Sequence, residues 1–262
     1  MQYNPDEIEI SQRQLEKVFR RIKRKVCLIG GWATYHIVNR NFENANGRKY
    51  IGSRDIDIGF HIDKAWSEEQ LKKSEFSTAI SIIEDMGFRP LSFRLVKDFD
   101  SDTGRELAPE ESAKLPLHQV FQLYVDPVVD HIHPKMRQAL GFVPIDEPLL
   151  SLIFINRLCT VSKLFGTSVL LPKPQVLLGM KLNSVINRDK EHKRIKDIAD
   201  IYALLWFSDV EIAQIRAQLL TIYPEEKARR TVQAFTGDEI SKVSKTIGVS
   251  ESEIKRVLAE LR

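Results

Sequence analysis

Two aspartates one residue apart are the feature of this 262-residue chain whose type and spacing point most directly to chemistry. Asp55 and Asp57 lie in the segment 50–62, YIGSRDIDIGFHI. Its alternation of apolar and polar residues predicts a strand, which places residues i and i+2 on one face. Two carboxylates held there repel each other unless a cation lies between them or one binds a proton. The pattern is therefore typical of a solvated strand face or of a site for Mg²⁺, which prefers oxygen ligands.

Residues on both sides of this segment favour a metal-dependent phosphate site. Gly30 and Gly31 lie between a short apolar segment and a predicted helix, where backbone N–H groups can approach phosphate closely. A tight strand-to-helix turn would use the same two glycines. A third carboxylate, Asp126, ends the apolar segment HQVFQLYVD, and Asp130 is the reserve candidate. Together these parts indicate a phosphate site more strongly than any one of them does.

Four motifs of the chain resemble the DNA polymerase β-type nucleotidyltransferase superfamily, and within it the AbiEii-like toxins of type IV toxin–antitoxin systems. They are GGWAT (30–34), SRDIDI (53–58), the segment that leads to Lys181, and HKRIKDIADIYALL (192–205). The resemblance covers about residues 26–207. Trp32 stands where the family has a small hydroxyl residue. The 23 residues between Gly31 and Asp55 exceed the usual spacing and predict an inserted loop or hairpin at 39–50.

The resemblance implies a Mg²⁺-dependent enzyme that transfers a nucleoside monophosphate from an NTP, such as ATP, to an acceptor and releases pyrophosphate. The acceptor would be a tRNA 3′ end or a protein side chain, and an antitoxin protein would be a partner. Two Mg²⁺ ions would be held by Asp55, Asp57 and Asp126, and Asp126 would also accept the proton of the attacking hydroxyl. The residues expected to bind the nucleotide are Gly30, Gly31, Ser53, Lys181, Arg188, Asp197 and Asp200. Lys181 is also expected to act in catalysis, together with the three aspartates, by adding positive charge against the triphosphate.

Several of these residues also have structural interpretations that the sequence leaves open. Lys181 could be a surface lysine that packs only its aliphatic stem. Asp197 and Asp200 face together on a predicted helix, where they could pair with lysines or an arginine of the same helix. The histidines of the segment DHIHP, 130–134, could bind metal or simply form a polar strand exit.

The order of periodic segments predicts an α+β fold, with a mixed sheet flanked by helices and then an all-helical C-terminal part. We expect an N-terminal basic helix in 1–25, a nucleotidyltransferase core in 26–175, helices completing the site in 176–210 and a helical module in 211–262. Predicted helices include 11–25, one that starts at 32, 67–86, one after Pro174 and one from about Lys193. Predicted strands include 26–29, 50–62, 91–99, 118–126 and two in 150–171, and 41–49 and 100–116 are predicted loops.

The two ends of the chain raise the question of nucleic-acid contact. The N-terminal helix has a basic face, which indicates either a solvated surface or a contact with RNA or phosphate. The last fifty residues are predicted to be helical, with breaks near Pro224 and Gly237. Within them, the segment 238–261 resembles a helix-turn-helix with a capping box at Ser250 and Glu253. Glu251 and Glu253 would oppose a DNA groove, so packing or partner docking is the other interpretation. A nucleic-acid-binding regulator with weak or lost catalysis is accordingly the alternative function.

Composition sets broader limits. A net charge of +3 does not by itself indicate nucleic-acid binding. The two cysteines, Cys27 and Cys159, lack metal-site spacing, which favours a reducing cytoplasm. The N-terminal segment MQYNPDEIEI has no signal-peptide pattern, and no apolar run approaches the roughly 20 residues of a membrane span. We therefore expect a cytoplasmic protein without membrane association.

Overall fold

A mixed β-sheet is the largest element of the structure, a computed structural model that describes residues 4–22 and 26–262. Within those residues it contains nine strands. They are β1 Cys27–Ile29, β2 Ile56–Phe60, β3 Arg89–Leu91, β4 Arg94–Asp100, β5 Glu106–Leu107, β6 Val120–Val129, β7 Ile145–Asp146, β8 Cys159–Leu164 and β9 Thr167–Pro172. The main strand order is β3-β4-β6-β2-β1-β9-β8, with β5 on β4 and β7 on β6.

Thirteen α-helices occur in the described residues. They are α1 Pro5–Ile22, α2 Gly30–Asn46, α3 Glu68–Lys72, α4 Glu75–Asp85, α5 Pro109–Ser112, α6 Met136–Leu140, α7 Leu150–Phe154, α8 Pro174–Ile186, α9 Glu191–Phe207, α10 Ile212–Leu220, α11 Glu225–Gln233, α12 Gly237–Ile247 and α13 Glu251–Leu258. Parallel pairing of β2 with β6 and antiparallel pairing of β4 with β6 make the sheet mixed. The predicted α+β class, with an all-helical C-terminal part, is confirmed.

The described residues form two compact units that do not follow the order of the chain. The sheet unit contains residues 4–22, 26–29 and 52–171, and therefore α1, α3 to α7 and the sheet. The helical unit combines Gly30–Ile51 with Pro172–Arg262, and therefore α2 with α8 to α13. Each unit has its own core of apolar side chains that are almost completely buried.

The predicted strand at 50–62 is shorter in the structure, because β2 begins at Ile56 and ends at Phe60. Asp55 lies in the bend just before it. The neighbouring strand β1 explains this limit, since it is only three residues long and its last residue, Ile29, pairs with Asp57. Earlier residues have no β1 partner, and Gly52 further weakens an extended conformation. Apolar burial in β2 follows the predicted alternation at Ile56 and Ile58.

The predicted loop at 41–49 and the insertion at 39–50 are wrong over most of their length, because α2 continues to Asn46. Residues 32–46 contain no glycine or proline that would end the helix. Phe42 is 1% exposed and packs edge-on against Tyr50 and Phe207, with ring centroids 5.1 and 5.0 Å away. This aromatic contact anchors the last turns of α2, although their sequence, NFENAN, is mostly polar.

Three other predictions need correction or lie partly outside the described residues. The single helix predicted at 67–86 is two helices, because Ser74 caps a new helix by accepting a hydrogen bond from the backbone of Ser77. The loop predicted at 100–116 contains β5 and α5. The N-terminal helix starts earlier than predicted, at Pro5, and its predicted basic end, 23–25, lies outside the described residues.

The C-terminal helices agree with their predictions. The chain breaks between α10 and α11 at Pro224, and α12 begins at Gly237, as predicted. The αL conformation of Gly248, with φ of 58°, ends α12 and turns the chain toward α13. Among the described residues, none of the helices has the length and apolar character needed to cross a membrane.

Candidate functional site

A row of charged residues crosses three neighbouring strands of the sheet unit. This carboxylate row consists of Asp57, Asp126 and Arg94. Asp57 on β2 is in register with Asp126 on the parallel strand β6. Adjacent strands lie about 4.8 Å apart and paired residues project to the same face, so the two carboxylates are neighbours. Arg94, the first residue of β4, lies on the other side of Asp126 and donates from Nη2 to its Oδ2 at 2.8 Å. Asp57 is half-buried and Asp126 is 5% exposed.

Arg94 lies in an aromatic environment that the sequence did not assign to the site. Its Cζ is 4.8 Å from the ring centroid of Phe93 and 4.4 Å from that of Tyr124. These distances are typical of cation–π contacts. The Arg94 side chain is 19% exposed, and its Nε is buried without a hydrogen-bond acceptor among the described residues. Alternation in LSFRLVKDF could have identified a polar strand residue, but only the β4–β6 register identifies the carboxylate that it contacts.

The other residues predicted near the carboxylates lie either just before β2 or at the start of α2. Ser53 is half-buried in the irregular segment before β2, and Asp55 is half-buried in the bend that follows. Gly30 has φ of 65°, a left-handed conformation that favours glycine at the end of β1 and the start of α2. Gly31 is buried within the first turn of that helix. The structure therefore supports a strand-to-helix turn at the two glycines, while their contact with phosphate stays a prediction.

The carboxylate row fits part of the predicted metal site. Asp57 and Asp126 supply two oxygen ligands in register, and proteins often hold Mg²⁺ with one or two carboxylates and substrate phosphates. Within residues 4–22 and 26–262, however, no group of three or more His, Cys, Asp or Glu is placed to hold a metal. The donor set thus fits a cation shared with phosphate. A second ion held through Asp55 stays a prediction.

The reserve candidate Asp130 has local structural contacts. One of its carboxylate oxygens accepts the backbone N–H of Ile62 at 2.8 Å, and the other contacts Nδ1 of His61. Asp130 is buried at the end of β6, whereas His61 is 36% exposed in its side chain. His133 is buried, and its Nδ1 accepts the backbone N–H of Lys135. These contacts agree with a polar strand exit in DHIHP.

The residues predicted from the later motifs meet in a buried ionic network of the helical unit. Lys181 on α8 contacts Asp197 and Asp200 on α9, each at 2.7 Å. Asp200 also contacts Lys196 one turn earlier and accepts a hydrogen bond from the Tyr50 hydroxyl at 2.8 Å. Lys181 and both aspartates have side chains at most 7% exposed. The structure brings these residues together as an internal network, and Lys196 confirms one of the ion-pair partners expected from helical spacing.

Arg188 and Ser184 complete the network around Asp197. Arg188 lies just beyond the end of α8, and its Nε contacts Asp197 at 2.6 Å. The Ser184 hydroxyl donates to the same carboxylate at 3.0 Å. Ser184 and Arg188 both contact Oδ2 of Asp197, whereas Lys181 contacts Oδ1. Asp197 is therefore bound by three side chains from one neighbouring segment of the chain.

Charge pairing and burial together determine the pKa values in this network. Burial alone would lower the pKa of Lys181, but the carboxylates of Asp197 and Asp200 outweigh burial and raise it above its ordinary value. Burial also opposes ionisation of Asp197, yet Lys181 and Arg188 lower its pKa to about 2. Lys196 differs, because burial lowers its pKa and the attraction of Asp200 offsets this only in part.

Two of the C-terminal helices, α12 and α13, begin with side-chain caps. Thr236 and Glu239 form a capping box that is not among the sequence predictions. Ser250 accepts the backbone N–H of Glu253 as predicted, but the Glu253 carboxylate accepts the Tyr202 hydroxyl at 2.8 Å. Glu251 pairs with Lys255 at 3.2 Å. The first turn of α13 is acidic, as the sequence indicates, and nucleic-acid contact by this segment stays a prediction.

The chain was compared with protein-family models, curated proteins and solved structures. No family model and no curated protein matches the chain. Among solved structures, the chain is similar to an antigenic nucleotidyltransferase-like protein from Paracoccidioides brasiliensis. The two are 14% identical over 89% of this chain and 94% of that chain, with a TM-score of 0.38. This TM-score is too low to show a shared fold.

Proposed function

We propose that this chain is a Mg²⁺-dependent nucleotidyltransferase that uses Asp57 and Asp126. The observation that carries the proposal is the register of β2 and β6, which makes these two carboxylates neighbours on one face of the sheet. Their repulsion without a cation is the physical reason for affinity toward one. The sequence around Asp57 also resembles the Ser-x-Asp-x-Asp strand of that superfamily.

In the proposed reaction, an acceptor hydroxyl attacks the α-phosphorus of an NTP. A new bond forms between that oxygen and phosphorus, the bond to the bridging oxygen of the β-phosphate breaks, and pyrophosphate leaves. The Mg²⁺ would neutralise charge on the phosphates and the leaving group. Asp57 and Asp126 would hold it, and Asp126 would accept the proton of the hydroxyl.

The remaining predicted roles extend the same proposal. Ser53, close to Asp57 in the chain, would bind the β- and γ-phosphates. The phosphate contacts expected of Gly30 and Gly31 stay a prediction from the sequence. The acceptor would be a tRNA 3′ end or a protein side chain, as in a toxin with an antitoxin partner. A second ion would require Asp55.

The test is nucleotidyl transfer by purified protein. The protein would be incubated with each α-labelled NTP, Mg²⁺ and either total RNA or total protein, and the label would be followed on gels. We expect Asp57→Asn and Asp126→Asn each to reduce transfer by about 100-fold or more, because each removes a charged ligand. EDTA should have the same effect.

The matched control is Asp63→Asn. Asp63 is exposed just beyond β2 and accepts a local backbone N–H in its turn, that of Ala65 at 2.8 Å. This variant should transfer label as the natural protein does. Transfer that survives Asp57→Asn, or the absence of transfer with every NTP and acceptor, would refute the proposal.

A further inference from the structure

We propose that Arg94 is a positioning residue that competes with the divalent cation for Asp126. Cation binding would then require the guanidinium to move away from the carboxylate. This inference rests on the proposed function only in taking Asp126 as a cation ligand. Its test uses neither nucleotide nor acceptor, so the failure of the two proposals can be distinguished.

The first argument is the position of the two charges. The Arg94 guanidinium contacts Oδ2 of Asp126 at 2.8 Å, and the Asp126 side chain is 8% exposed. Mg²⁺ requires ligand oxygens at about 2.0–2.1 Å in an octahedral arrangement. A cation on this carboxylate would therefore lie within a few ångströms of the guanidinium, where two positive charges repel strongly in a partly desolvated site. The Arg94–Asp126 ion pair and a cation bound to Asp126 therefore destabilise each other.

The second argument is the charge of the row without a cation. Asp57 and Asp126 are held side by side by the backbone register, and like charges directly opposite on neighbouring strands are destabilising. Arg94 lies in the same row and partly neutralises Asp126. The arginine thus stabilises the sheet in the state that lacks the cation, and the cation would replace it in this role.

The third argument is that Arg94 has favourable contacts apart from Asp126. The rings of Phe93 and Tyr124 lie within 5 Å of its guanidinium carbon. Cation–π attraction to these rings persists when the carboxylate binds another cation. The Nε group has no acceptor in residues 4–22 and 26–262, so a shift of the guanidinium breaks no hydrogen bond to that part of the chain. These contacts lower the free-energy cost of releasing Asp126.

The experiment is a Mn²⁺ titration of the full chain without nucleotide, followed by the electron paramagnetic resonance signal of free Mn²⁺. Arg94→Met keeps the apolar stem and removes the competing charge. We expect it to bind Mn²⁺ about tenfold more tightly, on the order of the effect of one hydrogen bond to a charged group. Its melting temperature should be lower than that of the natural protein without Mn²⁺ and should rise more on Mn²⁺ addition.

The matched control is Arg89→Met, which breaks an arginine–aspartate pair of the same length in the same sheet. Arg89 contacts Asp98 at 2.8 Å, and neither residue is in the carboxylate row. Its Mn²⁺ affinity should equal that of the natural protein. Asp126→Asn should weaken binding and should make a second substitution at position 94 without effect, because no competition remains.

Three results would overturn the inference. They are an Arg94→Met variant that binds Mn²⁺ no more tightly than the natural protein, equal gains in Arg89→Met and Arg94→Met, and no Mn²⁺ binding by any variant. If Arg94→Met does not fold, Arg94→Lys replaces it. The shorter, non-planar lysine weakens the pair while keeping its charge, so a smaller gain is expected and an unchanged or weaker affinity contradicts the proposal.

Discussion

At the scale of single residues, the contacts of Lys181 indicate whether this residue contributes to stability or to catalysis. Lys181 is buried and contacts two buried aspartates, each at 2.7 Å. Its charge is therefore matched within the helical unit. The resemblance to nucleotidyltransferases assigns a contact with phosphate to this lysine, whereas its contacts in the structure favour a contribution to stability.

We predict that Lys181→Met lowers the free energy of unfolding by about 3–5 kcal/mol, because Asp197 and Asp200 would lose a buried partner. Urea unfolding followed by circular dichroism measures this change. The control is Lys255→Met, which removes an exposed pair with Glu251 and should change stability by less than about 0.5 kcal/mol. Equal stability of the two variants would contradict a structural role for Lys181.

At the scale of secondary-structure elements, the start of α12 allows two neighbouring substitutions with opposite effects. Thr236 accepts the backbone N–H of Glu239 at 3.2 Å, and the Glu239 carboxylate accepts the backbone N–H of Thr236 at 2.8 Å. Gly237 follows in the first turn, and a Cβ placed there would meet no atom within 4 Å.

We predict that Thr236→Ala lowers the free energy of unfolding by about 1 kcal/mol, because the helix loses its cap. Gly237→Ala should raise it by about 0.5 kcal/mol, because alanine restricts the unfolded chain and fits the folded one. Thermal and urea unfolding of the two variants measure both changes. Effects of the same sign would show that the cap does not control the stability of this end of the helix.

The sequence predicts most elements because their signals are local. The prolines at the start of α8, the break at Pro224 and the alternation in β2 all act within a few residues. The end of α2 could not be predicted in this way, since its polar sequence is held in a helix by the burial of Phe42 against Tyr50 and Phe207. That contact joins residues distant in the chain, and no local pattern reports it.

The candidate site was predictable to a similar extent. The spacing of Asp55 and Asp57 and the apolar segment before Asp126 indicate the carboxylates of the candidate site. The partner Arg94 could not be identified, because the register of β4 against β6 depends on the whole sheet. For the same reason, the sequence could not predict that Gly30–Ile51 belongs with Pro172–Arg262 in one unit.

At the scale of the whole molecule, pH links the ionic network to the stability of the folded chain. Lys181 and Arg188 lower the pKa of Asp197 to about 2, against about 3.9 for an aspartate in an unfolded chain. The unfolded state therefore binds a proton at higher pH than the folded state does. The resulting stabilisation is complete above about pH 4 and decreases as the pH falls toward 2.

We predict that this residue contributes about 2–3 kcal/mol to the pH dependence of unfolding between about pH 4 and 2. Urea unfolding at several pH values in this range measures the slope. The Asp197→Asn variant should be less stable at neutral pH, and its stability should fall less steeply with acid. An unchanged slope in this variant would mean that other carboxylates account for the acid sensitivity.

The register that places Asp57 beside Asp126 also has a consequence for the order of folding. Asp57 is more than twice as far from Asp126 along the chain as Arg94 is, so the β4–β6 pair closes a shorter loop than the β2–β6 pair. Pairing of β4 with β6 would give Asp126 its arginine before β2 brings the second negative charge. Chain order therefore favours formation of the Arg94–Asp126 pair first, so that Asp57 would join a strand whose charge is already partly neutralised.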